Sequence, residues 1–312
     1  MQQDKILDGK ALAEQIQLKI KQDLYSKNLR PGLAIILVGE DPASQLYVRK
    51  KKIACQDVGI DFHEYLLAAN TPQLHILEII DFLNKDKNVN AILVQLPLPK
   101  QFDTDKIIKA IDPQKDVDGF HPSNIKDFIK NEALITPGLP LGILKLIEAT
   151  KENLANQQAV IVSKSKIFSQ PMIKILTDRK MKVSLINPDA KNLKEISSKA
   201  DLLIVSCGKP FLIKEAMVKA NSIIIDVGTN KIDNDYVVGD VDYSTVFPKV
   251  KFITPVPGGV GPMTVAMLLY NTMKLAEGPE QSRRSEIKKI KKKTNGSKPS
   301  VLSCLYLMSI IQ

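Results

Sequence analysis

Short apolar runs alternate with longer amphipathic stretches along most of this chain. Several of the apolar runs carry no charge, which is typical of strands buried on both faces of a sheet. They occupy residues 33–39, 62–67, 91–95, 159–163, 182–186, 202–206 and 222–228. The amphipathic stretches predict helices at residues 10–27, 42–58, 71–84, 139–150 and 262–277, with a further helix near Gln170. Strands that alternate with such helices predict βαβ units and an α/β fold with parallel sheets.

The alternating pattern falls into two series, which we interpret as two domains. A loop rich in Asp, Pro and Gly at residues 112–124 ends the first series. The last helix is expected to pack back on the first half of the chain. We therefore predict one domain from residues 1–136 plus 262–278, a second from 137–261, and a basic, flexible tail at 279–312.

The net charge of +10 is concentrated in this tail. Residues 279–300 hold eight Lys or Arg and two Glu, so the rest of the 312-residue chain carries about +4, which is ordinary for a globular enzyme. The run has no interleaved aromatic residues, so we interpret it as solvated and expect no nucleic-acid partner. Residues 301–312 are apolar but too few to span a bilayer, which takes about 20 residues. No membrane partner is expected either.

Three widely spaced cysteines indicate the compartment. Cys55, Cys207 and Cys304 form no CxxC pair, which argues against a disulfide framework and a zinc site and favours a reducing compartment. The first residues contain no apolar segment of the signal-peptide type. We expect a cytoplasmic protein without a bound metal, and an organellar location is the alternative.

Tyr47 and Lys51 are the first pair of candidate site residues. Their spacing of four residues places them one above the other on one face of a helix. Arg49, Lys50 and Lys52 surround Lys51, and these positive charges are expected to lower its pKa and favour a neutral, proton-accepting amine. Taken alone, the run is better explained as a solvated basic helix face, and Tyr47 as a half-buried core aromatic.

Two further candidates follow the first series of strands. Gln95 lies at the C-terminal end of a predicted strand, where open α/β sheets bind ligands, and two prolines turn the chain directly afterwards. The segment KDVDGFHP at residues 115–122 offers Asp118 beside a glycine. An ordinary turn of Asp and Gly explains the same segment without a ligand.

The segment TPVPGGVGPMT at residues 254–264 is a glycine- and proline-rich loop before the last helix. Gly258, Gly259 and Gly261 free its backbone of side chains, so that N–H groups can approach a ligand at the helix N-terminus. A tight turn is the simpler interpretation of such a loop alone. The other candidate residues strengthen the interpretation as a binding loop.

The second series should carry a nucleotide-binding loop at residues 163–171. Its sequence, SKSKIFSQP, has no glycine, so it does not support the close pyrophosphate approach of a GxGxxG loop. Lys164 can still attract a phosphate, and Ser163 and Ser165 can hydrogen-bond to it. Asp189 follows the next predicted strand, where a ribose-binding acid would fall, although an ordinary loop aspartate is the simpler interpretation.

Taken together, these segments closely resemble the FolD family of bifunctional methylenetetrahydrofolate dehydrogenases and methenyltetrahydrofolate cyclohydrolases. The matching segments are spread in order over residues 5–277. They are SQLYVRKKKIACQDVGI (44–60), VQLPLP (94–99), KDVDGFHPSN (115–124), DVGTN (226–230), VVGDVDY (237–243) and TPVPGGVGPMTVAMLL (254–269). No single segment is specific, but the set is.

The resemblance implies a two-domain α/β protein. Its N-terminal βαβ domain would be the catalytic, folate-binding domain, and its second domain would be a Rossmann-like dinucleotide-binding domain, with a cleft between them. The resemblance further implies tetrahydrofolate derivatives as substrates, NADP as the cofactor with NAD as the alternative, and a homodimer.

The resemblance also assigns roles to individual positions. Lys51 matches the catalytic lysine, Tyr47 the aromatic ring that stacks on folate, Gln95 the residue that orients the lysine, and Asp118 the acid that hydrogen-bonds the pterin. The residues expected to close over the substrate are Pro257, Gly258 and Gly259. The residues expected at the cofactor are Ser163, Lys164, Ser165 and Thr229.

The departures from the family pattern lie mainly in the nucleotide-binding half. Where the family typically reads GRSxIVGxP, this chain lacks both glycines and has Lys164 for the arginine. A lysine keeps the charge but loses the two-pronged hydrogen bonding of arginine to a 2′-phosphate. We therefore expect weaker NADP binding than a glycine-containing loop would give.

Three functions are compatible with these observations. The first is interconversion of 5,10-methylene-, 5,10-methenyl- and 10-formyl-tetrahydrofolate by an NADP-dependent dehydrogenase and a cyclohydrolase. The second is a cyclohydrolase with weak or lost dehydrogenase activity, and the third is a catalytically reduced folate-binding or partner-binding subunit.

Overall fold

The computed structural model describes residues 5–232 and 236–294, with side chains up to residue 278. The elements of the first half are α1 (Gly9–Lys27), β1 (Gly32–Val38), α2 (Pro42–Val58), β2 (Asp61–Leu67), α3 (Gln73–Lys85), β3 (Ala91–Val94), α4 (Thr104–Ala110) and α5 (Pro122–Lys130). Those of the second half are α6 (Gly138–Ala149), β4 (Gln158–Ser163), α7 (Lys166–Asp178), β5 (Lys182–Ile186), α8 (Leu193–Ser197), β6 (Leu202–Ser206), β7 (Ile223–Asp226), β8 (Asn230–Ile232), β9 (Tyr236–Val238), α9 (Tyr243–Val246), β10 (Phe252–Ile253) and α10 (Val260–Thr294).

Local capping chemistry sets the ends of the first two long helices. The Asp8 side chain accepts a hydrogen bond from Ala11 N at 3.0 Å before α1, and Asp41 accepts one from Ser44 N at 2.7 Å before α2. Each carboxylate pairs one of the amides that a helix leaves without an internal partner. After α2 the chain turns at Gly59, whose φ of 89° is accessible to glycine at little cost.

The first sheet has three parallel strands in the order β2-β1-β3. All seven residues of the central strand β1 are buried. Successive residues of β1, such as Leu33 and Ala34, belong to two different hydrophobic cores, because successive side chains of a strand point to opposite faces. One core includes residues of α1, α2 and α10, and the other includes residues of α3 and α4.

The second sheet has five parallel strands in the order β10-β7-β6-β4-β5. Strand β4 pairs with β5 on one side and with β6 on the other, so the chain reverses its direction of winding at β4. Ligands of open α/β sheets bind outside the carboxyl ends of the strands at such a switch point. The two parallel sheets confirm the predicted fold class.

Some elements were not predicted. Helix α4 precedes the turn at residues 112–121 and helix α5 follows it, whereas only a loop was expected in this part of the chain after β3. Strands β8 and β9 form a small antiparallel pair between β7 and β10. The predicted strand at residues 222–228 is shorter in the structure and ends at Asp226.

Helix α10 packs against both halves of the molecule. Met263 and Met267 belong to the core formed with α6 and β4, whereas Val265 and Leu268 belong to the core formed with β1 and α2. The helix leaves helical geometry at Gly278 (φ 67°, ψ 172°).

The flexible tail predicted at residues 279–312 begins directly after the break at Gly278. Its first part, residues 279–294, has a helical backbone, and residues 295–312 lie outside the described residues. Within the described part of the chain, no helix combines the length and apolar character needed to cross a membrane.

We predict that Gly9→Ala destabilises the protein, whereas Gly261→Ala does not. A Cβ at Gly9 would overlap the Gly259 carbonyl oxygen, but a Cβ at Gly261 would meet nothing within 4 Å. Forcing this backbone contact apart should lower the free energy of unfolding by about 1–3 kcal/mol. Alanine at position 261, in the first turn of α10, should be neutral or stabilising by up to about 1 kcal/mol. Urea unfolding of the two variants measures both effects, and equal midpoints would contradict the prediction.

Candidate active site

The amine of Lys51 and the side chain of Gln95 are in direct contact. Lys51 Nζ donates a hydrogen bond to Gln95 Oε1 at 2.8 Å. Lys51 is presented by the middle of α2, and Gln95 follows the last residue of β3, where its backbone N–H bonds Ile36 O at 2.9 Å. Gln95 Nε2 also donates to Leu96 O at 2.7 Å, which holds the amide with its oxygen toward the lysine.

Asp118 is close enough to Lys51 for their charges to interact. Burial lowers the pKa of Lys51, and the negative charge of Asp118 opposes that shift. Burial likewise raises the pKa of Asp118 to about 6, against the lowering effect of Lys51. The structure thus brings together three of the predicted site residues, and it perturbs the two charged ones in the directions that favour their neutral forms.

The expected cause of the low Lys51 pKa is wrong. The main cause is the loss of water around the amine, and the neighbouring positive charges are not among its causes. Lys52 is neutralised by Glu64, with a distance of 2.8 Å between Lys52 Nζ and Glu64 Oε2. The ammonium of Lys50 is exposed and lies 6.0 Å from the centre of the Tyr47 ring. Crowding fails as an explanation because the side chains of consecutive helical residues point in different directions.

Tyr47 lies one helical turn before Lys51 and is half-buried. One turn after Lys51, on the same face of α2, lies the fully buried thiol of Cys55. Burial raises the pKa of this thiol to about 12. Cys55 therefore stays neutral, and its buried thiol adds no charge next to the lysine.

A buried carboxylate, Asp116, shapes the turn that presents Asp118. It accepts hydrogen bonds from Gly119 N at 3.2 Å, His121 N at 2.7 Å and Asn124 Nδ2 at 2.9 Å. The ring of His121 accepts a hydrogen bond from Ser123 N at 3.1 Å and so caps α5. No cluster of metal-ligating side chains occurs among residues 5–232 and 236–278, whose side chains the structure describes.

Asn271 of α10 holds the same turn from the other side. Its Nδ2 donates to Val117 O and to Thr136 O, both at 3.0 Å. Asp118 lines a small pocket whose other lining residues are mostly apolar, including Leu96 and Phe120. Asn271 carried no local sequence signal, because its partners lie more than 130 residues away.

The glycine-rich loop at residues 254–259 contacts the beginning of α1. Gly258 O accepts a hydrogen bond from Lys10 N at 3.0 Å, and Gly259 N donates to Pro255 O at 2.8 Å. The Val256–Pro257 peptide bond is cis. Among the described residues, no hydrogen bond joins this loop to Lys51, Gln95 or Asp118.

The predicted cofactor residues lie at the carboxyl ends of the second sheet. Ser163 ends β4, and its Oγ accepts a hydrogen bond from Ser165 N at 3.1 Å. Ser165 caps α7 by accepting from Phe168 N at 3.3 Å. Lys164 forms an ion pair with Asp189. Thr229 is exposed in the loop after β7.

Two buried carboxylates that sequence reasoning missed organise the neighbouring loops. Asp240 accepts hydrogen bonds from the backbone N–H groups of Cys207, Gly208 and Lys209 at 2.7, 3.1 and 2.8 Å. Asp226 accepts from the N–H groups of residues 228, 240 and 241 at 2.9–3.1 Å. Burial raises the pKa of Asp226 to about 7. These two residues fold the loops after β6 and β7 at the carboxyl ends of the second sheet.

Comparison with known proteins identifies the family. Residues 7–118 match the family model described as "Tetrahydrofolate dehydrogenase/cyclohydrolase, catalytic domain", and residues 137–280 match "Tetrahydrofolate dehydrogenase/cyclohydrolase, NAD(P)-binding domain". The chain belongs to this family, the FolD family.

Relatives and solved structures agree with this assignment. The "Bifunctional protein FolD" of Acetivibrio thermocellus is 44% identical over 276 residues, which is 88% of this chain and 97% of that protein. The protein of the same name from a Sulfurihydrogenibium species is 48% identical over 277 residues, or 86% and 96% of the two chains.

Two of the similar structures are FolD enzymes. One is the bifunctional FolD methylenetetrahydrofolate dehydrogenase/cyclohydrolase of Campylobacter jejuni, which is 44% identical with a TM-score of 0.83 over 87% of this chain and 98% of that chain. The other is the FolD of Trypanosoma brucei in complex with NADP and an inhibitor, which is 29% identical with a TM-score of 0.84 over 87% of this chain and 97% of that chain.

We predict that the Asp118 carboxyl titrates near pH 6 and that Lys51→Gln raises its pKa further. The substitution removes a nearby positive charge that favours the carboxylate. Lys50→Gln is the matched control, because Lys50 is exposed on the same helix and does not contribute to the Asp118 pKa. Carboxyl-carbon NMR titration of the three proteins measures the values. A lower pKa in Lys51→Gln, or equal shifts in both variants, would show that Lys51 and Asp118 do not interact in solution.

Proposed function

We propose that this chain interconverts 5,10-methylene-, 5,10-methenyl- and 10-formyl-tetrahydrofolate, as an NADP-dependent methylenetetrahydrofolate dehydrogenase and a methenyltetrahydrofolate cyclohydrolase. The observation that carries the proposal is the hydrogen bond of 2.8 Å between the Lys51 amine and Gln95, with Asp118 close to the same amine. A subunit that only bound folate would have no need for a desolvated, oriented lysine. The named activities of the relatives support the same reaction pair.

Lys51 is the group that moves the proton in the cyclohydrolase reaction. Water adds to the methenyl carbon, and its proton passes to Lys51 Nζ. The bond between that carbon and N5 then breaks as the new hydroxyl loses its proton and becomes the formyl oxygen. N5 takes one of the two water protons and the other is released to solvent, so the methenyl cation and water give 10-formyl-tetrahydrofolate and one proton. Burial makes the neutral amine more available at neutral pH, and Gln95 aims it, so this proton transfer is expected to contribute a factor of about 10²–10⁴.

The remaining residues of the first site bind and orient the folate. The Tyr47 ring is suited to stack on the planar pterin, and the Asp118 carboxylate is suited to accept hydrogen bonds from its amino edge. Pro257, Gly258 and Gly259 form the loop that we assign to closure over the substrate.

The carboxyl ends of the second sheet have the chemistry to hold a dinucleotide. Lys164 follows β4, and the N-terminus of the 13-residue helix α7 begins two residues later, so a cationic side chain and free helical amides meet at one place. We assign Ser163, Lys164, Ser165 and Thr229 to NADP. When bound, NADP supplies the hydride acceptor for the methylene group, and the residues of the chain position the two reactants.

A cyclohydrolase with weak dehydrogenase activity is the second candidate. It is favoured by the glycine-free loop at residues 163–171 and by the pairing of Lys164 with Asp189.

We predict weaker NADP binding than in a relative with a glycine-containing loop, because a Cβ there keeps the dinucleotide from the backbone. Titration of both proteins with NADP measures this, and equal or tighter binding by this chain would rule it out. A dehydrogenase assay on the same samples separates the two candidates.

We predict that Lys51→Ala loses cyclohydrolase activity by a factor of about 100 or more. Lys50→Ala is the matched control, because it removes a lysine from an exposed position of the same helix and should hydrolyse methenyl-tetrahydrofolate normally. The rate is followed by the loss of methenyl absorbance. Unchanged hydrolysis in Lys51→Ala would refute the role of this lysine.

The domain division, the assembly and the location are also proposals. We divide the chain into residues 1–136 plus 262–278, residues 137–261 and residues 279–312, which is supported by the separate sheets in the first two parts.

We propose a homodimer, because β2 is an edge strand that exposes the apolar side chain of Leu66. Sedimentation at the mass of one 34.6 kDa chain would exclude the homodimer. A cytoplasmic location is supported by two free cysteines, Cys55 and Cys207, and cell fractionation tests it.

A further inference from the structure

Three neighbouring strands of the second sheet each contribute one charged residue to the same edge. Lys164 directly follows β4, Asp189 lies three residues after β5, and Lys209 lies three residues after β6. Strand β4 lies between the other two, and all three run parallel. Their carboxyl ends therefore meet at the switch point of the sheet, where dinucleotides bind in folds of this type.

The three side chains form one ion cluster. Lys164 Nζ pairs with one carboxylate oxygen of Asp189, and Lys209 Nζ pairs with the other. The hydrogen bonds from Lys164 and Lys209 lower the pKa of Asp189 to about 2, so this residue stays ionised at neutral pH. The three side chains are 40–55% exposed, so an incoming ligand can reach them.

The backbone at Lys209 is held in place independently of Asp189. Its N–H donates to the buried Asp240 carboxylate at 2.8 Å. Lys164 lies between Ser163, which is buried at the end of β4, and the helix cap Ser165. Both lysines are therefore presented from rigid positions, and loss of Asp189 would free their amines without moving their backbones.

NADP and NAD differ only in the 2′-phosphate on the adenosine ribose. An acid that follows the second strand of such a sheet suits the free ribose hydroxyls of NAD, whereas positive side chains suit the 2′-phosphate of NADP. In this chain the acid Asp189 and the cations Lys164 and Lys209 are all present, and Asp189 forms ion pairs with both lysines.

We propose that Asp189 is the residue that limits the preference of this chain for NADP over NAD. Its carboxylate binds the amines of Lys164 and Lys209 and repels a 2′-phosphate, whereas NAD, which lacks that phosphate, meets neither obstacle. The proposal rests on the proposed dehydrogenase function, because it concerns the same nucleotide site.

The test compares nucleotide binding by the wild-type chain and by Asp189→Asn, which keeps the size of the side chain and removes its charge. Dissociation constants for NADP and NAD are measured by calorimetry, with adenosine 2′,5′-bisphosphate and AMP as probes of the adenosine end alone. Removal of one negative charge beside the phosphate should tighten NADP binding by about tenfold and leave NAD binding unchanged or weaker. The gain should shrink at high salt, because exposed charges are screened.

Two further variants assign the effect to these side chains. Glu195→Gln removes an exposed acid that pairs with Lys199 in the same domain, and it should leave the ratio of the NADP and NAD constants at the wild-type value. Asp189→Asn combined with Lys164→Gln and Lys209→Gln should lose the gain in NADP binding, because the amines that hold the phosphate are gone.

The outcomes separate this inference from the function on which it rests. If both nucleotides bind and Asp189→Asn leaves their ratio unchanged, the ion cluster is a surface ion bridge only and the inference is wrong. An equal gain in Glu195→Gln would reduce the effect to overall charge and would also overturn it. If neither nucleotide binds to the wild type or to Asp189→Asn, the dehydrogenase function fails, and the inference fails with it.

Discussion

The packing of α10 between two hydrophobic cores is the constraint on which the rest of the structure depends. One side of the helix contributes Val265 and Leu268 to the core of the first sheet, and the other contributes Met263 and Met267 to the core of the second. On the same helix, the amide of Asn271 bonds the carbonyls of two segments that flank α5, at Val117 and Thr136. The turn that bears Asp118 is therefore fixed by the helix that also fixes the nucleotide-binding half.

The electrostatics of the site around Lys51 and Asp118 follow from water exclusion more than from ion pairing. The lysine amine and the Asp118 carboxylate each lose solvation, and each is shifted toward its neutral form although their charges attract one another. Because burial lowers its pKa, Lys51 gives up its proton more readily than an exposed lysine does. Placing the amine above a neutral, buried Cys55 thiol adds no competing charge to the site.

The parts of the molecule that the sequence predicted are those that follow local rules. The period of apolar residues predicted the strands and long helices, and the four-residue spacing on α2 predicted that Tyr47 and Lys51 share a helix face. The closeness of Lys51 and Gln95 was implied only by the family resemblance, and the hydrogen bond between them agrees with it. Short elements such as α5 and the pair β8–β9 were missed, since each has too few residues to establish a period. Their form depends on contacts with distant parts of the chain, which no local pattern records.

The cause of the Lys51 pKa could not be read from its neighbours in sequence. Lys50 and Lys52 are adjacent in the chain, yet one is exposed near Tyr47 and the other is paired with Glu64. The structural role of the buried acids could not be read from the sequence for a similar reason. Asp116 and Asp240 resemble ordinary turn residues, and only the three-dimensional structure shows how many backbone N–H groups each one collects.

The ion cluster at the end of the second sheet has a consequence for how related chains diverge. Its three members come from separate loops and lie outside the hydrophobic cores. An exchange at any one of them alters surface charge and leaves the packing of both sheets untouched. If the cluster sets cofactor preference as proposed, that preference can change by single substitutions at little risk to folding, whereas Lys51, Gln95 and Asp118 are linked to the packed elements of the first domain.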